Sequence, residues 1–170
     1  MMTRQLSQLV RLIDDLLDVS RISGGKLQLR RERISLGEPI AAALDVSRPQ
    51  IDEAGHKLHV SLPPNLLLVD GDPVRLTQIV SNLLINAAKY TPERGRIALT
   101  ATVERSGDGR AQVCIRVSDS GIGIRNEMLP RIFDMFTQVD ATLDRSQGGL
   151  GIGLTLVRRL VQMHGGSVEA

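Results

Sequence analysis

Apolar residues recur three and four positions apart in several stretches of the chain, which is the spacing of one face of an α-helix. The first stretch covers residues 3–23 and is followed by Gly24-Gly25, a common helix stop. The same spacing predicts helices at residues 37–54, 72–92, 126–136 and 150–164. The long apolar stripe of the first helix must be covered, either by its own domain or by another helix of a hairpin or dimerisation bundle.

Between these helices, apolar and polar residues alternate as expected of strands with one buried face. Residues 96–105 and 110–118 flank Ser-Gly-Asp-Gly and predict a β-hairpin. Alternation also predicts strands at residues 57–62, 66–69 and 167–170. Residues 26–36 alternate like a short strand pair or an extended linker. We therefore predict an α+β fold, in which helices cover one face of a mixed sheet and one long N-terminal helix precedes it.

The predicted helix at residues 72–92 has clear ends. Asp72 is a good N-cap, and Pro73 suits the first helical position. Thr91 precedes Pro92 and is therefore disfavoured in the α conformation, which ends the helix. Its predicted core face consists of Leu76, Val80, Leu83, Leu84, Ala87 and Ala88.

A second stripe of this helix is polar but contains few charges. Gln78, Asn82, Asn86 and Lys89 are four, four and three residues apart, so they share one side of the helix. Asparagine is a poor helix former, and a solvent-facing stripe is usually rich in Glu, Lys and Arg. From this helix alone the stripe is either an ordinary polar face or part of a binding site.

The composition of the 170 residues predicts a globular domain with an aliphatic core. Hydrophobic residues make up 42% of the chain, but only Tyr90, Phe133 and Phe136 are aromatic. The net charge is +2, and aromatic residues are not interleaved with the basic ones. Because single-stranded nucleic acid is bound by stacking on aromatic side chains beside positive charge, we expect no nucleic-acid binding.

The single cysteine and the lack of long apolar runs limit the cellular context. Cys114 excludes an internal disulfide and fits a reducing compartment. No apolar run approaches the roughly 20 residues of a membrane span, and no signal peptide opens the chain. We expect a cytoplasmic location without membrane contact by these residues, and this is compatible with the cytoplasmic part of a membrane-bound protein.

Two glycine-rich turns are candidates for ligand contact. One runs from Asp119 to Ile124 directly after a predicted strand, and the other runs from Gly148 to Leu154 into the last helix. Glycine allows close approach of a ligand to the backbone, and a helix N-terminus favours phosphate. Each turn alone is equally well explained as a tight connection. Neither matches a Rossmann or P-loop spacing.

Taken in order, four motifs resemble the ATP-binding domain of sensor histidine kinases in the Bergerat-fold (GHKL) superfamily. Asn82–Thr91 resembles the family's N box, and Asp119–Ile124 resembles its first glycine box. Phe133–Phe136 resembles the F box, and Gly149–Leu154 the second glycine box. Each motif is modest alone, but four in this order and spacing are specific. The resemblance implies a two-layer α/β sandwich that binds ATP and Mg²⁺.

The resemblance assigns roles to residues in the first two boxes. Asn86 is implied to give its amide oxygen to Mg²⁺, and Asn82 to help hold the metal or phosphates. Lys89 is implied to contact phosphate, and Tyr90 to flank the nucleotide. Asp119 is implied to accept a hydrogen bond from the adenine amino group.

Further roles follow for the glycine turns and the segment between them. Gly121, Gly123 and Ile124 are implied to pass close to the adenine base. Residues 137–149 are implied to form a mobile ATP lid, with Phe133 and Phe136 at its base. The remaining implied nucleotide contacts are Arg145, Gln147, Gly149, Gly151, Gly153 and Leu154.

The family's phosphate-accepting histidine has no counterpart in this chain. In the family, this histidine lies in the first helix of a helical hairpin, and residues 1–25 resemble the second helix of that hairpin. Residues 26–36 resemble a linker with short strands. Residues 37–170 resemble the kinase domain, truncated at its end. His56 and His59, expected on opposite faces of a strand, are poor substitutes. The resemblance implies a homodimer through the N-terminal helix. Its other implied partners are the histidine-bearing helix of the same protein and the receiver domain of a response regulator.

Two alternatives remain open at this point. One is a GHKL ATPase, although that class carries a water-activating glutamate in the asparagine helix, and no acidic residue lies between Asp72 and Glu93. The other is a regulatory module that binds nucleotide without kinase activity, which the missing acceptor histidine favours slightly.

Overall fold

The structure, a computed structural model, describes residues 2–63, 67–105, 107, 109–137 and 151–170. Within them the chain forms helices α1 (Met2–Ser23), α2 (Gly37–Glu53), α3 (Pro73–Tyr90) and α4 (Gly153–Met163). The strands are β1 (Glu32–Ser35), β2 (Lys57–Ser61), β3 (Leu68–Gly71), β4 (Arg96–Arg105) and β5 (Ala111–Asp119). The predicted α+β class is confirmed. None of the described helices is both long enough and apolar enough to cross a bilayer.

The chain divides into two compact units, residues 30–123 and residues 1–29 with 124–170. The first unit contains a three-stranded sheet in the order β2-β4-β5. Strand β2 runs parallel to β4, with Leu58 opposite Ile97, and β4 pairs antiparallel with β5. The sheet is therefore mixed, as predicted, and β4–β5 is the predicted hairpin.

Strands β1 and β3 form a separate antiparallel pair in the same unit, with Ile34 opposite Val69. The prediction of a strand pair within residues 26–36 is therefore wrong. Only the end of that segment is a strand, and its partner comes from more than 30 residues later, a pairing that local alternation cannot reveal.

The core of residues 30–123 lies where α2 and α3 pack together and against β4. Ile97, Leu99 and Ala101 alternate along β4 and are all buried. From the two helices and the N-cap residue of α2, the core receives Leu36, Ile40, Ala43, Ile51, Val80, Leu84, Ala87 and Ala88. The predicted core face of α3 is confirmed, since its two other predicted members, Leu76 and Leu83, are partly buried.

Both ends of α3 follow from its sequence. The Asp72 carboxylate caps the helix by accepting hydrogen bonds from the N–H groups of Val74 at 3.1 Å and Arg75 at 3.2 Å. Its other oxygen accepts from the Arg30 N–H at 2.9 Å, which ties the segment before β1 to the same point. At the far end, Thr91 has the extended conformation predicted for a residue before proline (φ −94°, ψ 127°).

In the second unit, α1 packs against α4. The buried face of α4 is apolar and includes Leu156, Val157 and Leu160. The buried residues of α1 include two carboxylates, since Asp15 and Asp18 are only 6% and 8% exposed, in addition to Val19 at 3%. The apolar stripe of α1 is 42–61% exposed at Leu6, Leu9, Val10, Ile13, Leu16 and Leu17. Within the described residues, nothing of its own unit covers this stripe.

Two predicted elements of the second unit are wrong. Residues 126–136 form successive turns instead of a helix, with hydrogen bonds such as Arg131 N–H to Met128 O at 2.9 Å. Pro130 explains the difference, because it lacks an N–H and disfavours the α conformation in the residue before it. Residues 167–170 are not a strand and have no strand partner among the described residues. The predicted lid lies almost entirely outside the described residues.

Candidate functional site

The polar stripe of α3 is sheltered from solvent. Asn82 is only 3% exposed, and Gln78, Asn86 and Lys89 are half-buried. The Arg75 guanidinium donates a hydrogen bond to Gln78 Oε1 at 2.7 Å, one helical turn back toward the N-terminus. Because a merely solvated stripe leaves its side chains exposed, this burial favours the binding-site interpretation over an ordinary polar face.

The last turn of α3 carries a positive charge fixed beside an aromatic ring. Lys89 Nζ donates to the Tyr90 hydroxyl at 3.2 Å and lies 4.7 Å from the centre of its ring. This distance is within the range of a cation–π contact. Lys89 follows Asn86 by three residues and therefore lies on the same side of α3 as the asparagines.

The first glycine turn is anchored to the C-terminal end of α3. At the end of β5, Asp119 Oδ1 accepts from the Gly121 N–H at 2.8 Å. The next residue, Ile122, donates its N–H to the Tyr90 carbonyl at 3.2 Å. The turn that carries Asp119 therefore lies directly against the turn that carries Lys89 and Tyr90.

Only glycine can occupy position 121 in this arrangement. A Cβ atom built there would lie 2.5 Å from both Asp119 Oδ1 and the Tyr90 carbonyl oxygen. Two residues on, Gly123 has a φ of +73°, which side-chain-bearing residues rarely adopt. Gly121 is therefore needed for the close approach of the turn to α3, and Gly123 for the backbone conformation that follows.

Sequence reasoning missed two residues that support these side chains. Ser120 Oγ accepts from the Arg96 N–H at 2.9 Å, and the Ser120 N–H donates to the Arg96 carbonyl at 3.0 Å. These bonds extend the β4–β5 pairing by one residue and fix the direction in which the chain leaves Asp119. The second supporting residue that sequence reasoning missed is Arg75, which orients Gln78. The spacing of three between Arg75 and Gln78 was the available signal for that pair.

The second unit brings together other predicted site residues. The Phe136 N–H donates to the Gly151 carbonyl at 3.2 Å, so the end of the F box and the second glycine box are adjacent. Gly151 has a φ of +68°, and a Cβ there would lie 2.8 Å from the Thr137 carbonyl oxygen. Gly153 opens α4, while Ile124 and Phe136 are exposed.

The remaining predicted site residues are either half-buried or outside the described residues. Leu154 is half-buried in the first turn of α4. Arg145, Gln147 and Gly149 lie outside the described residues. Among the residues that are described, no group of three or more His, Cys, Asp and Glu side chains is arranged to hold a metal.

Comparisons of the sequence with known proteins agree on one family. Residues 71–170 match the family described as histidine kinase-, DNA gyrase B-, and HSP90-like ATPase. The histidine protein kinase DivJ of Caulobacter vibrioides is 39% identical over 160 residues, which are 94% of this chain and 26% of DivJ. The autoinducer 2 sensor kinase/phosphatase LuxQ of Vibrio cholerae is 38% identical over 162 residues, 95% of this chain and 19% of LuxQ. The chain thus spans about a quarter or less of these relatives.

Solved structures show the same fold. Full-length ShkA in complex with AMPPNP matches with a TM-score of 0.76 and 30% identity, over 95% of this chain and 32% of ShkA. The mycobacterial sensor histidine kinase MprB matches with a TM-score of 0.66 and 26% identity, over 82% of this chain and 83% of that chain. Since the matched residues make up more than half of the chain and include both the asparagine helix and the glycine turns, the chain belongs to the family of histidine kinase-, DNA gyrase B-, and HSP90-like ATPases.

Proposed function

We propose that this chain is the ATP–Mg²⁺-binding core of a sensor histidine kinase and that it serves transfer of the γ-phosphoryl group to a histidine outside these 170 residues. The observation that carries the proposal is the bond from the Ile122 N–H to the Tyr90 carbonyl. It joins the Asp119 turn to the end of the asparagine helix, so the group proposed to bind the base adjoins the groups proposed to bind the phosphates.

Asp119 is suited to recognise adenine. Its Oδ1 already accepts from the Gly121 N–H, so the carboxylate is fixed in direction, and Oδ2 is the oxygen that would accept from the exocyclic amino group. A hydrogen bond to an ionised acceptor is about twice as strong as one between neutral groups. Adenine has an amino group that can donate this hydrogen bond, whereas guanine has a carbonyl oxygen at the same position. Asp119 would therefore favour binding of ATP over GTP.

The stripe on α3 suits the metal and the phosphates. Mg²⁺ prefers oxygen ligands and keeps several waters, so the amide oxygen of Asn86 together with phosphate oxygens is a sufficient protein contribution. A neutral ligand adds no negative charge beside a triphosphate. When bound, the ion would neutralise charge on the β- and γ-phosphates. Lys89, fixed beside Tyr90, would add positive charge, and Asn82 one helical turn away would support the same group.

No general base is assigned, because phosphoryl transfer depends mostly on positioning and charge stabilisation. Phe136, Gly151, Gly153 and Leu154 are proposed to serve the lid and its closure on the phosphates, with Arg145 and Gln147 as lid contacts. The sequence supports the kinase over the ATPase alternative, since α3 lacks an acidic residue to activate water.

The proposed partners follow from the same function. The exposed apolar stripe of α1 is proposed to pair with the histidine-bearing helix and with a second copy, giving a homodimer. A receiver domain of a response regulator is the proposed next phosphate acceptor. The kinases among the similar proteins, DivJ and LuxQ, support these proposed partners.

Calorimetric titration with Mg²⁺ and AMPPNP tests the nucleotide site. We expect binding by the unmodified chain and a loss of at least tenfold in affinity for Asn86→Ala. Gln50→Ala, which removes an exposed carboxamide from α2, is the matched control and should leave the affinity unchanged. Equal affinity of all three proteins would contradict the proposed site.

A second experiment separates a kinase from a regulatory module. The chain is incubated with ATP, Mg²⁺ and a separately made helical hairpin that carries a histidine. A kinase core should give acid-labile phosphate on the hairpin, and Asn86→Ala should abolish it. Nucleotide binding without any phosphate transfer would favour the regulatory module instead.

A further inference from the structure

A buried histidine contacts the last turn of the asparagine helix. His56 lies in the turn between α2 and β2 and is 7% exposed. Its Nε2 is 3.0 Å from the carbonyl oxygen of Ala88, near the end of α3. Because a carbonyl oxygen can only accept a hydrogen bond, Nε2 must carry the proton and donate. The contact therefore fixes the protonated nitrogen as well as the ring position.

The sequence explains why Ala88 requires this donor. In an α-helix each carbonyl accepts from the N–H four residues later, and the last carbonyls have no such partner. For Ala88 that position is Pro92, which has no N–H at all. The preceding carbonyl, Ala87, accepts from the Thr91 N–H at 3.1 Å in the ordinary way. His56 thus supplies the hydrogen bond that Pro92 cannot.

A second carbonyl of this turn is bound from another direction. The Tyr90 carbonyl accepts from the Ile122 N–H at 3.2 Å. Lys89 lies between Ala88 and Tyr90, so the residues on both sides of Lys89 are fixed by contacts from outside the helix. The place of the Lys89 ammonium group therefore depends on His56 as well as on the first glycine turn.

The turn that carries His56 has its own attachment to the segment after α3. The Arg94 N–H donates to the Ala54 carbonyl, and the Lys57 N–H donates to the Gly95 carbonyl, both at 2.9 Å. These backbone bonds do not depend on the imidazole. Replacing His56 should therefore remove one directed hydrogen bond while the two segments stay together.

We propose that His56 is a positioning residue for the nucleotide site: its Nε2–H bond to Ala88 sets the last turn of α3 and thereby the places of Lys89 and Tyr90. The effect on nucleotide binding rests on the proposed function. The effect on the helix end does not, and it can be measured without nucleotide.

The first test uses His56→Leu and His56→Gln in the nucleotide-free chain. Leucine fills the space without a donor, whereas the glutamine amide nitrogen can reach the place of Nε2. We expect His56→Leu to speed amide hydrogen exchange at residues 86–91 by about fivefold, as expected for loss of one hydrogen bond, and His56→Gln to stay within about twofold of the unmodified chain. Tyr90 is the only tyrosine and there is no tryptophan, so intrinsic fluorescence reports on the same turn and should change only in His56→Leu.

Two outcomes would overturn the positioning role. One is unchanged exchange and fluorescence in His56→Leu, and the other is an equal change in His56→Gln. Circular dichroism checks that both variants are folded. If His56→Leu does not fold, nitrogen-15 NMR of the unmodified chain decides, because the inference requires a proton on Nε2 of His56.

The second test measures binding of AMPPNP with Mg²⁺. We expect about fivefold weaker binding by His56→Leu, again the size of one hydrogen bond, and recovery in His56→Gln. The matched control is His59→Leu, since His59 is exposed on β2, and it should bind like the unmodified chain. Binding by His56→Leu equal to the control would overturn the link to the site. No binding by the unmodified chain would instead refute the proposed function, and the exchange result would still decide the role of His56 at the helix end.

Discussion

Helices α1 and α3 are both amphipathic and of similar length, 22 and 18 residues, yet they bury different kinds of side chain. In α3 the apolar face packs into the core, and the polar stripe is sheltered as well, down to 3% exposure at Asn82. In α1 most of the apolar stripe is exposed, and two carboxylates, Asp15 and Asp18, are buried beside Val19. The spacing of the apolar residues is alike in the two helices, so it does not account for this difference.

The comparison shows what an apolar stripe does and does not specify. It specifies that a helix forms and which side is apolar. It does not specify whether the cover comes from the same unit, as for α3, or from another helix, as we propose for α1. Asn82, at 3% exposure, also shows that a polar side chain of such a helix can be enclosed.

Leu84→Ala should have the largest effect of the changes that test this comparison. Leu84 is fully buried in the core on α3, and such a truncation costs about 2–5 kcal/mol in the free energy of unfolding. Leu9→Ala on the exposed stripe of α1 is the matched control and should cost much less. Urea unfolding followed by circular dichroism measures both. Equal losses would mean that the α1 stripe is as well covered as the α3 core.

Asp72→Ala should have an intermediate effect. It removes the cap of α3 and the bond to the Arg30 N–H, and loss of a helix cap costs about 1 kcal/mol in the free energy of unfolding. Asp70→Ala, an exposed position on β3, is the control for the change in charge. If both variants lose the same stability in urea, the capping role is refuted.

Leu9→Ser with Leu16→Ser should change stability least and association most. Both side chains are exposed on α1, so the free energy of unfolding of the monomer should change by no more than about 0.5 kcal/mol per site. We expect the unmodified chain to be a dimer or to aggregate, and the double variant to be a monomer by light scattering. If the unmodified chain is a monomer by light scattering, the proposal that the apolar stripe of α1 drives association is refuted.

The sequence was a good guide where local rules decide the structure. Asp72 and Thr91 define the ends of α3 through capping and the constraint before Pro92, and these ends were predicted correctly. The β4–β5 hairpin is likewise local, because the two strands are joined by a short turn. The family resemblance then predicted which residues of α3 and of the glycine turns belong together, and the chain's membership of that family is confirmed.

Other features could not be obtained from local patterns. Residues 126–136 have an apolar pattern typical of a helix, but Pro130 prevents it. The pairing of Ile34 with Val69 and the bond from His56 to Ala88 join residues more than 30 positions apart. The roles of Arg145, Gln147 and Gly149 stay predictions, as does the division of the chain into residues 1–25, 26–36 and 37–170.

The end of α3 has a consequence for how this protein folds. The Ala88 carbonyl accepts its hydrogen bond from a histidine 32 residues earlier in the chain. The Tyr90 carbonyl accepts its hydrogen bond from a backbone amide of the turn after β5. Both are non-local contacts, which form only after the loops between them have closed. The helix itself can form early, but its last turn is completed only when β5 has joined the sheet. We therefore expect the proposed nucleotide site to be completed late in folding, because a partly folded chain would carry Asn82 and Asn86 without the contacts that set the last turn of α3.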